Sequence, residues 1–138
     1  MTITITPHLN FRGQARAALS FYEHVFGGDQ VLVTYGQMGQ GEGEAAEQVM
    51  WGQVAASDGF RIMAFDVLEP RPYDQGANAF FVSARGSSPA DVGARWNALS
   101  EGATILHPLG PAPSSALYGM LTDRFGVTWI LDVEPGAA

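Results

Sequence analysis

The chain repeats itself. Trp51-Gly52-Gln53-Val54 is followed by Gly59, seven residues after Gly52, and then by Asp66-Val67. Tyr118-Gly119-Met120-Leu121 is followed in the same way by Gly126 and then by Asp132-Val133. Upstream, Ala18, Tyr22, Val25, Gly28 and Val31 match Val92, Trp96, Leu99, Gly102 and Ile105 at one constant offset. Two similar halves in one chain mean two copies of one supersecondary unit packed about a pseudo-two-fold axis. That restricts the fold far more than composition does, and it names no reaction.

A length of 138 residues suits one compact domain, 1–138, and a hydrophobic content of 46% is enough for a core. The formal net charge is −7, and the seven Lys and Arg residues form no run. Binding to phosphates needs clustered cations, so neither nucleic acid nor an anionic membrane surface is an expected partner. With no cysteine in the chain, disulfides, thiolate nucleophiles and Cys-ligated zinc are excluded. No apolar run has the length of a membrane span, and the Ile-Thr alternation after Met1 lacks the basic start of a signal peptide. The expected location is the cytoplasm.

Periodicity gives the order of elements. Ile3 to Phe11 alternates and predicts a strand, with Ile3, Ile5, Leu9 and Phe11 on one parity. Ala15 to Phe26 switches to a helical stripe and stops at Gly27-Gly28. Val31 to Tyr35 predicts a second strand, 36–46 a Gly-rich loop, and Gln48–Ala55 and Phe60–Val67 a hairpin about Ser57-Asp58-Gly59. Glu69 to Gly76 reads as a connector. The second half follows the same order. Asn78–Ala84 predicts a strand, and a helix opens with Ser88 as cap and Pro89 in its first position. Thr104–His107 predicts a short strand and Pro108–Ser115 a rigid loop. Ala116–Thr122 and Val127–Val133 predict the closing hairpin, and Pro135 to Ala138 a frayed tail. The expected fold class is α+β. Two β-α-β-β-β repeats, about 1–68 and about 77–134, are expected to form a cupped, incomplete mixed β-barrel with the helices outside. Such a cup is a natural ligand cavity.

This order resembles the vicinal oxygen chelate superfamily of glyoxalases, bleomycin-resistance proteins and extradiol dioxygenases, and within it the PhnB-like group. The resemblance rests on Ile5-Thr6-Pro7-His8-Leu9-Asn10-Phe11, Gly13, Ala15, Ala18, Phe21-Tyr22 and Phe26-Gly27-Gly28. At the other end it rests on Tyr118-Gly119, Asp123, Phe125-Gly126-Val127 and Trp129. It spans nearly the whole chain. It implies that metal-using members draw His, Glu or Gln ligands from the first and last strands of each half. The metal then acts as a Lewis acid on neighbouring substrate oxygens. Mapped onto this chain, the implied positions fall at His8, near Met63, near Asn78 and near Ile130. Only His8 is a ligand type. Asp132 shares the parity of Ile130 but lies one pleat further on, roughly 6.6 Å away. A metal is therefore not expected in the usual site. If a divalent ion binds, His8 and Asp132 are its candidate ligands. The plain reading of His8 is a polar residue lining the cup.

Other constellations carry less. Gly39-Gln40-Gly41-Glu42-Gly43 has the look of a nucleotide loop, but the acidic Glu44-Ala45-Ala46-Glu47 that follows would repel phosphate. It reads as a flexible loop. His24 reads as solvated, and His107 beside Pro108 as a loop hydrogen-bonder. Asp58, Asp66, Asp123 and Asp132 stand at turns or strand ends in both halves and read as turn formers. No catalytic set is visible. Trp51 and Tyr118, equivalent by the repeat, are the expected apolar walls of the cup, since aromatic walls favour flat or apolar ligands.

The expected function is thus metal-free binding of a small apolar or aromatic molecule, with no cofactor. His8, Asn10, Trp51, Gln53, Met63, Asn78 and Tyr118 would line the cavity. The alternatives are a metal-dependent lyase, isomerase or dioxygenase with a displaced site, and a module that serves mainly to form a homodimer. The resemblance implies a homodimer in any case.

Overall fold

A computed structural model of the chain describes residues 2–136. Met1 and the last two residues of the expected tail, Ala137 and Ala138, lie outside the described residues. The chain forms two compact units, Met1–Gln75 and Gly76–Ala138.

In the first unit the order is β1 (His8–Phe11), α1 (Ala15–Phe26), β2 (Asp29–Thr34), a 3-10 turn (Gly36–Met38), α2 (Glu44–Glu47), β3 (Val49–Ala55) and β4 (Arg61–Asp66). The helix forms because Ala15, Ala18, Leu19, Tyr22, Val25 and Phe26 fall on one buried stripe. It ends where Gly27 returns its N–H to Glu23 O at 2.7 Å. Gly28 then takes φ +97°, and a Cβ there would lie 2.5 Å from Ala55 O. No other residue fits that close approach. The sheet order is β1-β4-β3-β2, with β1 parallel to β4 and the other pairs antiparallel.

The second unit repeats this plan with β5 (Val82–Gly86), α3 (Pro89–Leu99), β6 (Thr104–Ala112), β7 (Ser115–Thr122) and β8 (Thr128–Val133). Its sheet order is β5-β8-β7-β6, again with the first pair parallel. Val92, Trp96 and Leu99 bury one stripe of α3.

Each helix covers one face of its own sheet, and the close contacts are made at matched glycines. A Cβ on Gly52 of β3 would meet Leu19 Cδ1 at 2.3 Å, and one on Gly119 of β7 would meet the Trp96 ring at 2.7 Å. Alternate residues therefore point into the helix layer and are buried. These are Val54, Ile62 and Ala64 in the first unit, and Leu121, Trp129, Leu131 and Val133 in the second. The two β-α-β-β-β modules of an α+β fold are thus as the repeat predicts.

Several boundaries differ from expectation. Residues 2–7 are not in β1, and Ile3 and Ile5 are 84% and 92% exposed. Alternation specifies a strand only where a partner strand lies alongside. The strand expected from Asn78 begins at Val82, because Asn78 takes a left-handed φ of 59° that breaks extension. The rigid loop expected at 108–115 is largely strand. β6 runs through Pro108 and Pro111 with repeated register shifts. As the outermost strand of its sheet it tolerates residues that donate no N–H. The loop expected at 36–46 contains two short helical turns too brief to leave a periodicity.

Candidate functional site

Opposite α1, the first sheet carries a half-buried face built by strand alternation. β1 pairs His8 with Met63, and β3 pairs Gln53 with the same Met63, so these three side chains stand in one row across the sheet. Asn10 and Phe65 form the next pair. His8 Nδ1 lies 3.0 Å from Asn10 Oδ1, and its ring meets Phe65 edge-on at 4.6 Å. Trp51 pairs with Val33, and Val31 with Gln53. Five of the seven residues expected to line a cavity thus share this face: His8, Asn10, Trp51, Gln53 and Met63. Phe65, Val31 and Val33 complete it. The sequence did contain a signal for Phe65, which shares strand parity with Met63.

The corresponding face of the second sheet is charged. Arg85, Asp132 and Tyr118 stand in one row through the β5–β8 and β8–β7 registers. Arg85 donates from Nε to Asp132 Oδ1 at 3.0 Å and from Nη2 to Oδ2 at 2.8 Å. These hydrogen bonds, then the carboxylate's charge, raise the Arg85 pKa further above its ordinary value against a small opposing effect of desolvation. The Tyr118 ring meets His107 edge-on at 5.2 Å. His107 Nδ1 lies 2.9 Å from Pro108 O, the local hydrogen bond expected of it. Arg85 escaped the sequence reading because the strand was expected to end one residue before it. Asn78 stands outside the strand, exposed, ahead of β5.

Register also settles which positions of the halves correspond. β1 pairs His8 with Met63, and β5 pairs Ser83 with Ile130. The counterpart of His8 is therefore Ser83, not Asn78. An imidazole, a thioether, a hydroxyl and an isoleucine do not make a site for a hard divalent cation. Among the described residues, no group of three or more His, Asp or Glu comes together in a way that could hold a metal. Asp132 gives both oxygens to Arg85.

The Asp-Val echo is one residue out of register. Val67 N–H bonds Phe11 O as Glu134 N–H bonds Gly86 O, which makes Val133 the partner of Asp66. Asp66 points into the helix layer, where its Oδ1 accepts from Gly13 and Ala15 N–H at 2.7 and 3.1 Å. Its Oδ2 accepts from Val49 N–H at 2.9 Å. It caps a helix whose own N-cap, Gln14, offers no side-chain bond. This replaces the turn role expected of it, while Asp58 and Asp123 do serve turns. Asp123 also accepts from Trp129 Nε1 at 2.9 Å, which holds that indole in the core. Tyr35 donates to Asp66 O at 2.6 Å, and burial, with the Asp66 charge, raises its pKa.

A concavity of about 750 Å³ lies beside α1, lined by Gly13, Arg16, Thr34, Glu47, Gln48 and Asp66 among others. Its Asp66 carboxylate is already occupied by backbone N–H groups. Gln48 Oε1 is buried there without a partner.

Residues 6–131 match the family described as Glyoxalase/Bleomycin resistance protein/Dioxygenase superfamily, and the chain belongs to it. It is similar to protein PA1353 from Pseudomonas aeruginosa, with 32% identity, coverage of 96% of this chain and 98% of that one, and a TM-score of 0.87. The PhnB protein from Bacillus cereus has the same fold at 24% identity, with coverage of 95% and 99% and a TM-score of 0.75. Protein YjdN from Escherichia coli (strain K12) is 23% identical over 94% of each chain. No described helix is long and apolar enough to cross a membrane.

Proposed function

We propose that this protein binds a small apolar or aromatic molecule, without a metal in the family's usual position, in the cup that the superfamily fold implies. One observation carries the reading. The first sheet's helix-free face joins Trp51, Met63, Phe65, Val31 and Val33 to His8, Asn10 and Gln53, so it offers apolar area with few directional contacts. Burying a flat ligand against such a surface is favourable roughly in proportion to the apolar area removed from water, at about 25 cal/mol per Å². Equilibrium dialysis with 2-ethylnaphthalene tests this. The expected result is saturable one-to-one binding, weakened about tenfold in Trp51→Ala and unchanged by EDTA. Absence of saturable binding would overturn the reading.

The competing reading is a metal-dependent lyase, isomerase or dioxygenase with a displaced site. Stoichiometric metal in protein purified without chelators, lost in His8→Ala, would establish it in place of the first.

We also propose a homodimer. Ile3, Ile5 and Phe80 are 84%, 92% and 93% exposed, and association would bury such apolar surface. A light-scattering mass of one chain at micromolar concentration would refute this.

A further inference from the structure

The concavity beside α1 differs in chemistry from the Trp51 face of the same unit. Its wall combines three carboxylates, from Glu44, Glu47 and Asp66, with one guanidinium, from Arg16. Arg16 donates from Nη2 to Glu47 O at 3.2 Å, which ties α1 to the end of α2. Asp66 is spent on backbone N–H groups. What remains open is an acceptor. Gln48 Oε1 is buried without a hydrogen-bond partner, a state that costs stability until an N–H reaches it. The adjoining wall can yield. α2 ends at Glu47, next to Gln48, and buries no side chain of its own.

Charge and spacing then decide what can enter. An excess of carboxylates repels an anion and attracts a cation. Among the described residues, no three acids come together in a way that could hold a metal. Glu44 and Glu47 instead stand about one turn apart on α2, with Gln48 next in the chain. Acceptors spread along a cavity of about 750 Å³ suit a cation whose N–H donors are spread as well.

We propose that this concavity is a ligand site for an aliphatic polyamine. One ammonium donates to Gln48 Oε1, and the others face Glu44 and Glu47. Every residue of the site belongs to the first unit. The inference stands apart from the binding of an apolar molecule at the Trp51 face.

Calorimetric titration of spermidine into the protein at about 150 mM salt, where diffuse attraction is screened, tests this. Saturable one-to-one binding is expected. Gln48→Met should weaken it about tenfold, the scale of one hydrogen bond from a charged donor. The urea midpoint of that variant should be no lower than that of the unmodified chain, because the acceptor it removes had no partner. Glu47→Gln should weaken binding about threefold, as expected for an exposed charge pair. Asp29→Asn, at the far end of β2 from Thr34, should leave binding unchanged. Equal weakening by Asp29→Asn and Glu47→Gln, with none in Gln48→Met, would mean that spermidine answers only to net charge, and would overturn the site. A lowered urea midpoint in Gln48→Met would show that Oε1 is already bonded and overturn its role. Displacement of spermidine by magnesium chloride at equal concentration would overturn the choice of a polyamine. Absence of saturable spermidine binding would overturn the inference and leave the apolar site standing.

Discussion

The two halves solve one problem in opposite ways. Each must start a helix directly after its first strand. In the second unit the solution is local: Ser88 Oγ accepts from Asp91 N–H at 3.1 Å, and Pro89 occupies the first turn. In the first unit it is distant: Asp66, 51 residues after Ala15, brings a carboxylate from the end of β4 to the start of α1. The same carboxylate also holds the start of β3. At the matching seam of the second unit, Ser115 Oγ accepts from Val133 N–H at 3.0 Å and bonds only within its own sheet. A duplicated scaffold therefore keeps its backbone plan while its closing interactions diverge. A local cap secures one helix; a long-range cap makes the other helix, its sheet and the connecting strand dependent on one side chain.

That contrast sets an order of effects. Asp66→Ala should be the most damaging, since it leaves three amide N–H groups, two of them buried, without that acceptor. A loss of about 3–4 kcal/mol in urea unfolding is expected. A loss below that of a surface substitution would show that water replaces the carboxylate. Next come the matched glycines. Gly119→Ala should cost about 2–3 kcal/mol, because the new methyl meets a rigid Trp96 ring and Leu109 Cα at 3.1 Å. Gly52→Ala should cost about 1 kcal/mol less, because the end of the flexible Leu19 side chain can turn away. Equal losses would mean that the two helix–sheet contacts are equally yielding. Ser88→Ala should cost about 1 kcal/mol, the usual worth of a local cap. If it matches Asp66→Ala, the contrast between local and distant capping is wrong.

Tyr35→Phe should have the smallest effect, about 0.5 kcal/mol at neutral pH from the lost bond to Asp66 O. Its pH dependence gives the sharper signal. The Tyr35 pKa is raised in the folded protein from 10.0, so its contribution is fully present below pH 10 and is lost as pH rises further. Unfolding midpoints measured from pH 8 to 11 should therefore fall less steeply in the variant than in the unmodified chain.

Much of this architecture was readable from residues alone, and the failures have physical causes. The stripe from Ala15 to Phe26 gave α1 both its observed ends and Ser88-Pro89 gave α3 its observed start, because stripe, cap and stop are local signals. The cap made by Asp66 left no local trace, since nothing near residue 15 announces an acid arriving from another strand. Asp66 and Asp132 looked equivalent because the letters repeat, yet a one-residue offset sends them to opposite faces of their sheets. The same sensitivity misplaced Asn78 and hid Ser83 and Arg85. On the first sheet, strand parity alone brought five expected site residues onto one face. On the second, a strand expected to end at Ala84 rather than Gly86 was enough to conceal the polar group that dominates it.

The prolines of β6 carry a further consequence. As the last strand of its sheet, β6 presents an unpaired backbone edge, and Ile105 and Leu106 on it are 43% and 50% exposed. An edge of this kind is a template on which another chain can extend the sheet without limit. Pro108 and Pro111 have no N–H to offer a new strand, and the register shifts at Ile105/His107, His107/Gly110 and Gly110/Ala112 break the regular ladder that one would need. The segment that looked like a loop is thus a guarded border, which limits the chain's tendency to polymerise through this edge strand.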